Sequence, residues 1–330
     1  MWRNKIVAMT ITAALLLVWL TADDSVARYV DAVKESRVNA QSVLDKGGGS
    51  EDELMQRIRR EAAEQRVAPI EPRVDRVWKL IPGYNGREVD VDRTYSQNRH
   101  TWAGGEIDYV YRQVEPKLRL QELGAHPIYR GNPQKKMAAL MINVAWGNEY
   151  IPSMLKALAD EQVKATFFLD GSWLSKHADI AQAIQSAGHE MSNHAYSHPN
   201  MSELGREAAL RQITRTEQLL RERLGVANRW FAPPSGDYNQ QTVELAASQG
   251  LGTVLWTVDT VDWKKPPADA IIRKIAARVE PGSLILMHPT ASSSEALAGM
   301  IRVIKSKGLA LGTVSELLST ERLDSVESGT

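Results

Sequence analysis

Runs of apolar residues alternate with longer amphipathic segments from residue 135 to the C-terminal region. Residues 137–144 are an uninterrupted apolar run, which is typical of a parallel strand buried on both faces. Further strands are predicted at residues 164–169, 190–194, 228–232, 252–257, 283–288 and 309–313. The segments between and after them predict helices at residues 151–161, 173–186, 202–224, 240–248, 267–279, 292–306 and 314–319.

This strict alternation of strand and helix predicts an α/β fold with a parallel sheet. About seven such units follow one another between residues 135 and 319, which favours closure of the sheet into a barrel. No glycine-rich phosphate-binding sequence follows the first strand, which argues against a dinucleotide-binding fold.

The pattern is different before residue 135. Residues 25–46 and 51–66 have helical spacing, and a Gly-Gly-Gly break at 47–49 separates them. Short strands are predicted at 77–81, 88–92 and 108–112, and residues 118–134 read as a connecting arm. The sequence therefore predicts a leader (1–22), a charged helical stalk (23–73), a small strand-containing module with its arm (74–134), a barrel (135–320) and a tail (321–330).

The leader has the pattern of an export signal. Arg3 and Lys5 precede an apolar run at residues 6–20, and Asp23 and Asp24 follow it. Both a cleaved signal peptide and an uncleaved signal-anchor fit this pattern. Either one predicts that the remainder is exported, in the cell envelope or outside the cell, with the leader as the possible membrane contact.

Composition excludes several classes of function. The formal net charge is zero, so the chain lacks the basic footprint of a nucleic-acid-binding protein. It contains no cysteine, which rules out disulfides, thiolate metal ligands and a cysteine nucleophile. Oligomeric state is not indicated.

Polar side chains follow several of the predicted strands, where α/β folds place their chemistry. His194 and His198 are spaced to hold one divalent metal ion, such as Zn²⁺. Asp170 ends the second strand, Asp262 follows the fifth, and His288 ends the sixth. Together they suggest a metal-assisted hydrolase.

Residues 135–319 resemble the polysaccharide deacetylase (NodB homology) family. The segments that carry the resemblance are ATFF (165–168), GHEMSNHAYSHP (188–199), FAPPSG (231–236), WTVDTVDW (256–263) and LILMHP (284–289). The NVAWGNEY segment (143–150) is similar to the sporulation-associated branch. The resemblance implies a distorted (β/α)7 TIM-like barrel and metal-dependent hydrolysis of N-acetyl groups of amino sugars in cell-wall, peptidoglycan or spore glycan, a reaction of carbohydrate metabolism.

The resemblance also implies roles for individual residues. His194 and His198 match the metal-ligating histidines, His288 the general acid, and Asp262 the carboxylate that orients it. Trp263 matches a wall of the acetyl pocket. The backbone N–H of Ser235 matches an oxyanion donor, and we expect Tyr238 at the rim of the site.

The chain departs from the family's motifs at three positions. The general base and the third metal ligand, an Asp-Asp pair, are Ala145 and Trp146 here, and the arginine that orients the base is Ala232. Asp170 or Glu149 could supply a substitute carboxylate, or Asp170 could merely cap the next helix. Trp146 could fill the vacated corner or stack on a sugar face.

Three hypotheses remain open from the sequence. The chain is a hydrolase with a substituted carboxylate, a pseudoenzyme that binds glycan without turnover, or an envelope scaffold that holds protein partners. The first hypothesis requires a bound divalent metal ion, such as Zn²⁺, and the other two require no metal.

Overall fold

The computed structural model describes residues 53–327. The predicted leader and the first predicted helix lie outside this range. Contacts divide the described residues into two compact units, one made of residues 53–66 and 88–112, the other of residues 67–87 and 113–327.

The smaller unit contains two helices, α1 (residues 53–64) and α2 (Val91–Asn98). Leu54 and Ile58 of α1 are buried with Val89 in a small core. A strand was predicted at residues 88–92, and this is wrong beyond Val89 because Asp90 caps a helix: its Oδ1 accepts a hydrogen bond from Arg93 N at 3.1 Å.

Two short sheets involve residues before the barrel. Strands β1 (Arg73–Asp75) and β2 (Lys79–Ile81) pair antiparallel. Strands β3 (Gly86–Val89) and β4 (Tyr111–Val114) form the other two-stranded sheet. The strand predicted at 108–112 thus begins three residues later than expected.

The larger unit is built on an eight-stranded parallel sheet. Its strands are β5 (Met137–Val144), β6 (Thr166–Leu169), β7 (Glu190–Asn193), β8 (Trp230–Phe231), β9 (Gly252–Thr253), β10 (Val258–Asp259), β11 (Leu284–Met287) and β12 (Ala310–Gly312). Seven follow the order β10-β11-β5-β6-β7-β8-β9, and β12 pairs with the first residues of β5. The prediction of an α/β fold on a curled parallel sheet, of the (β/α)7 kind, is confirmed.

Helices follow the strands as the alternation predicts. They are α3 (Ile151–Asp160), α4 (Gly171–Lys176), α5 (Ala178–Ser186), α6 (Arg206–Leu224), α7 (Gln240–Ser248), α8 (Ala268–Arg278), α9 (Ala291–Ser306), α10 (Val314–Leu318) and α11 (Asp324–Glu327). The single helix predicted at 173–186 is two helices that meet at His177, whose φ of −132° is not helical. Across the described range, no helix is long and apolar enough to span a membrane.

The strands separate two apolar cores. Leu140, Ile142 and Val144 pack outward against the helices. Met141 and the cross-strand Phe168 belong to the core on the other face, inside the curl of the sheet. Because side chains alternate along a strand, the interior face can be followed from this core to the carboxyl ends of the strands.

The predicted connecting arm packs beside the end strands of the sheet. Ile128 bridges to Val254, next to β9. Tyr129 O accepts a hydrogen bond from Thr257 Oγ1 at 2.7 Å, next to β10. The arm therefore fills the sheet between its two end strands and contributes to the barrel.

Candidate functional site

The carboxyl ends of three neighbouring strands place three site positions side by side. Val144, Leu169 and Asn193 lie opposite one another in the sheet. The ladder continues by one residue, since Asp170 N donates to Val144 O at 2.9 Å and His194 N donates to Leu169 O at 3.0 Å. Asp170 therefore lies between Ala145, where the family has its base, and His194.

His194 is a buried, neutral imidazole. Its Nδ1 lies 2.8 Å from Ala232 O, a contact that makes Nδ1 the donor and leaves Nε2 as an acceptor. Burial, together with the neighbouring His198, lowers the pKa of His194 to about 3. A neutral ring held through its second nitrogen is the form in which histidine ligates metal.

His198 is held beside His194 by a tightly bonded loop. The two ring centroids are 5.2 Å apart. Gln212 Oε1 accepts hydrogen bonds from Tyr196 N and Ser197 N, each at 3.0 Å. His198 has a φ of 56°, a left-handed conformation that is uncommon for a residue with a side chain. Such backbone strain is concentrated at functional sites.

Asp262 and His288 form an intact dyad. Asp262 is fully buried. Its Oδ1 lies 2.9 Å from His288 Nδ1, and its Oδ2 accepts from His288 N at 2.6 Å. Ser293 Oγ also donates to Oδ2. The carboxylate thus fixes both the backbone and the ring of His288, which leaves Nε2 of that ring as the nitrogen that faces away from the carboxylate.

Trp146 covers the dyad. Its ring is stacked on the ring of His288, with centroids 5.5 Å apart and an interplanar angle of 14°. The same indole lies edge-on to His198 at 6.3 Å. Trp146 stands where the family has an anionic metal ligand, yet it remains 46% exposed. The indole therefore covers one face of His288 and also presents an aromatic surface to solvent.

Asp170 has two different oxygens. Oδ1 caps α4, accepting from Trp173 N at 2.9 Å and from Ser172 Oγ at 2.6 Å. Oδ2 is buried and has no hydrogen-bond partner among the described residues. Burial raises the pKa of Asp170, and the neighbouring His198 acts in the opposite direction. The helix-capping role is therefore real, but it uses only half of the carboxylate.

A divalent metal ion does not find a complete ligand set in this arrangement. His194 has the protonation state of a ligand, and Asp170 Oδ2 is free to bind. Nevertheless, no group of three His, Cys, Asp or Glu side chains within residues 53–327 is placed to hold a metal ion. Catalytic zinc sites ordinarily have three protein ligands, so the residues present fall short of one.

Three other predicted site residues, Ser235, Tyr238 and Trp263, also lie within the described range. Ser235 is exposed and has a φ of 56° in a short 3-10 turn that begins two residues after Ala232. Tyr238 Oη is 2.8 Å from Tyr129 Oη, a partner in the connecting arm that the sequence did not indicate. Trp263 is 53% exposed, with Lys264 Nζ 4.9 Å from its ring centroid.

Two other carboxylates near the ends of the strands have surroundings different from that of Asp170. Glu149 is exposed to solvent. Asp259 Oδ1 accepts from Val261 N at 2.7 Å and so shapes the turn that leads to Asp262. Asn143, near the carboxyl end of β5, has a buried Oδ1 with no hydrogen-bond partner in the described part of the chain.

Comparison with known proteins identifies the class. Residues 130–254 match the family model described as polysaccharide deacetylase. A peptidoglycan-N-acetylglucosamine deacetylase of Bacillus cereus is 30% identical over 257 residues, 72% of this chain and 94% of that protein. The chain therefore belongs to the polysaccharide deacetylase family.

Other relatives match more of the chain. The Bacillus subtilis protein YlxY is 42% identical over 295 residues, which cover 89% of this chain and 90% of that protein. The solved structure of BA3943, a CE4 family pseudoenzyme from Bacillus anthracis, matches with a TM-score of 0.76 and 40% identity. That match covers 82% of this chain and 96% of the pseudoenzyme.

Proposed function

We propose that this polysaccharide deacetylase-like protein binds amino-sugar glycan of the cell envelope without hydrolysing its N-acetyl groups. The observation that carries the proposal is Trp146, which occupies a carboxylate position and lies flat on His288. The half of the site that would activate water has lost its base, its third ligand and its arginine, while the half that would protonate a leaving group remains.

The missing groups decide between turnover and binding. A positioned general base contributes roughly 10²–10⁴-fold to a rate, and here position 145 is alanine. The loss of an anionic ligand at position 146 lowers the affinity of the site for a metal ion. These losses act on one catalytic unit, so their factors are not multiplied, but either one alone argues against ordinary turnover.

The groups that remain suit binding. Trp146 and Trp263 present partly exposed aromatic rings, and amphipathic rings of this kind combine apolar contact area with a polar edge. The B. cereus relative acts on N-acetylglucosamine of peptidoglycan by its name, which supports the same glycan class as the ligand. The 40% identical pseudoenzyme supports the absence of turnover.

The location of the protein is part of the proposal. The leader pattern at residues 1–22 supports export, either with cleavage or with retention as a membrane anchor. Export agrees with a ligand in the cell envelope, and the segment at residues 143–150 supports a role in sporulation.

Binding of tetra-N-acetylchitotetraose and of peptidoglycan fragments tests the proposal. We expect calorimetric binding that is unchanged by a chelator and that weakens roughly three- to tenfold in Trp146→Ala, since aromatic contacts contribute about 0.5–1.5 kcal/mol beyond their buried area. Tyr111→Ala, another half-exposed aromatic, serves as the matched control and should bind as wild type. No affinity for either glycan would refute the proposal and favour an envelope scaffold.

A second candidate is a divalent-metal hydrolase in which Asp170 replaces the lost ligand. The unpaired Oδ2 of Asp170 beside His194 favours it. Zn²⁺ titrated into the protein would then bind one-to-one, and the His194→Ala, His198→Ala double variant would not bind it. Absent or equal weak binding in both proteins would eliminate this candidate.

A further inference from the structure

The carboxyl ends of β5 and β6 form a corner of the site that contains hydrogen-bond acceptors with no donor among the described residues. Asp170 Oδ2 and Asn143 Oδ1 are both buried without a partner in the described part of the chain. Asp170 is 2% exposed and Asn143 is 3% exposed. An unsatisfied buried polar atom costs about 1–3 kcal/mol, so two of them in one corner require an explanation.

Both oxygens belong to the interior face of the barrel. Asn143 lies opposite Phe168, and Phe168 packs in the interior core two residues before Asp170. Side chains two residues apart on a strand share a face, so Asn143 and Asp170 point to the same side of adjacent strands. His194, directly beside Asp170, adds the acceptor Nε2.

The family has an arginine at the position of Ala232, so this chain lacks the positive charge that the arginine would bring to the site. A lining of one carboxylate oxygen, one amide oxygen and one imidazole nitrogen is complementary to a ligand that only donates. An ammonium group, which donates several N–H hydrogen bonds, and a metal ion are both ligands of this kind.

Distances separate a metal ion from an ammonium group. Zinc requires nitrogen and oxygen ligands at about 2.0–2.2 Å, and no three side chains of the residue types that bind it converge in the described range. An ammonium donates three hydrogen bonds at about 2.7–3.2 Å. The acceptors of an ammonium can therefore lie farther apart than the ligands of a zinc ion.

We propose that this corner binds the protonated primary amine of a de-N-acetylated amino sugar, so that the protein recognises glycan from which acetyl groups have already been removed. Trp146 provides an aromatic face beside the cation. The inference rests on the proposed function, glycan binding without turnover. It places the protein after an amide-hydrolysing reaction that converts N-acetyl amino sugars to free amines.

Binding of two matched oligosaccharides tests this inference. Chitotetraose with four free amines and tetra-N-acetylchitotetraose differ only in their acetyl groups. We expect the wild-type chain to bind the free-amine oligosaccharide roughly ten- to a hundredfold more tightly, the range that one charge-assisted hydrogen bond of about 1.5–3 kcal/mol provides.

Asp170→Asn is the informative variant. Asparagine caps helices as well as aspartate does, so α4 keeps its cap while Oδ2 is replaced by a donor. We expect this variant to lose the preference for the free amine. Asp160→Asn, an exposed carboxylate on α3 with 60% of its side chain accessible, is the control for a general charge effect.

Asn143→Leu provides a second variant if Asp170→Asn does not fold. It removes a neutral acceptor, so the preference should fall by roughly three- to tenfold. Equal binding of both oligosaccharides by the wild type overturns the inference and leaves glycan binding intact. A preference that Asp160→Asn reduces as much as Asp170→Asn also overturns it. Binding of neither oligosaccharide overturns the proposed function as well.

Discussion

Asp262 supports the fold as well as His288, and it remains although the family's Asp-Asp pair is replaced by Ala145 and Trp146. The carboxylate is fully buried and receives three hydrogen bonds, from the backbone N–H of His288, from its ring and from the Ser293 hydroxyl. Asp262→Ala removes all three acceptor interactions at once. The ring of His288 is 12% exposed and can turn toward water, whereas the backbone N–H and the hydroxyl stay buried.

The expected cost follows from the two donors that remain buried. Each loses a partner worth about 1–3 kcal/mol, so Asp262→Ala should lower the free energy of unfolding by about 3 kcal/mol. Asp262→Asn keeps the shape and one acceptor oxygen, and its cost should be about half as large. Asp259→Ala is the control, because Asp259 supports a single turn hydrogen bond and is only half-buried.

Urea unfolding followed by tryptophan fluorescence measures these differences. With a denaturant slope of about 3 kcal/mol per molar, Asp262→Ala should shift the midpoint by about 1 M. A loss below about 1 kcal/mol for Asp262→Ala, or an equal loss for Asp259→Ala, would refute the reasoning that buried donors require this carboxylate.

Two further predictions concern other histidines and the lost carboxylates. His189 is buried and accepts a hydrogen bond from a backbone N–H at 3.2 Å, and burial lowers its pKa to about 4. Between pH 4 and 6.5 the unfolded chain therefore binds more protons than the folded chain. The free energy of unfolding should fall by about 3 kcal/mol as the pH drops through that window. His189→Gln should remove that share of the acid sensitivity, the exposed His100→Gln should not, and equal pH curves for all three proteins would contradict the assignment. The double variant Ala145→Asp, Trp146→Asp should gain one-to-one Zn²⁺ binding in calorimetry, lost again on His194→Ala, and no binding would show that the remaining residues no longer support a metal.

The strands of the barrel were predictable because buried parallel strands are continuous apolar runs. Residues 137–144 show this most clearly and form β5 with those bounds. The helix α2 was not predicted, because alternating Val and Asp residues at 88–92 imitate a strand. Asp90 was the available signal, since aspartate before a helix is a common cap.

The site was predictable as a set of residues but not as a geometry. The sequence motifs located His194, His198, Asp262 and His288, because each follows a strand of the barrel. Trp146 is different, because its stacking on His288 depends on the paths of two loops from different strands. The sequence indicated Asp170 as a substitute carboxylate or as a helix cap. The structure shows that Oδ1 caps a helix while Oδ2 has no hydrogen-bond partner among the described residues.

Acetate release tests the central claim most directly. The wild-type chain would be incubated with tetra-N-acetylchitotetraose and with peptidoglycan, with and without added Zn²⁺, beside a true deacetylase as a positive control. Glycan binding without turnover predicts no acetate above the level of a His288→Ala variant on either substrate. Acetate release by the wild type that His288→Ala abolishes would contradict the claim and establish a working hydrolase.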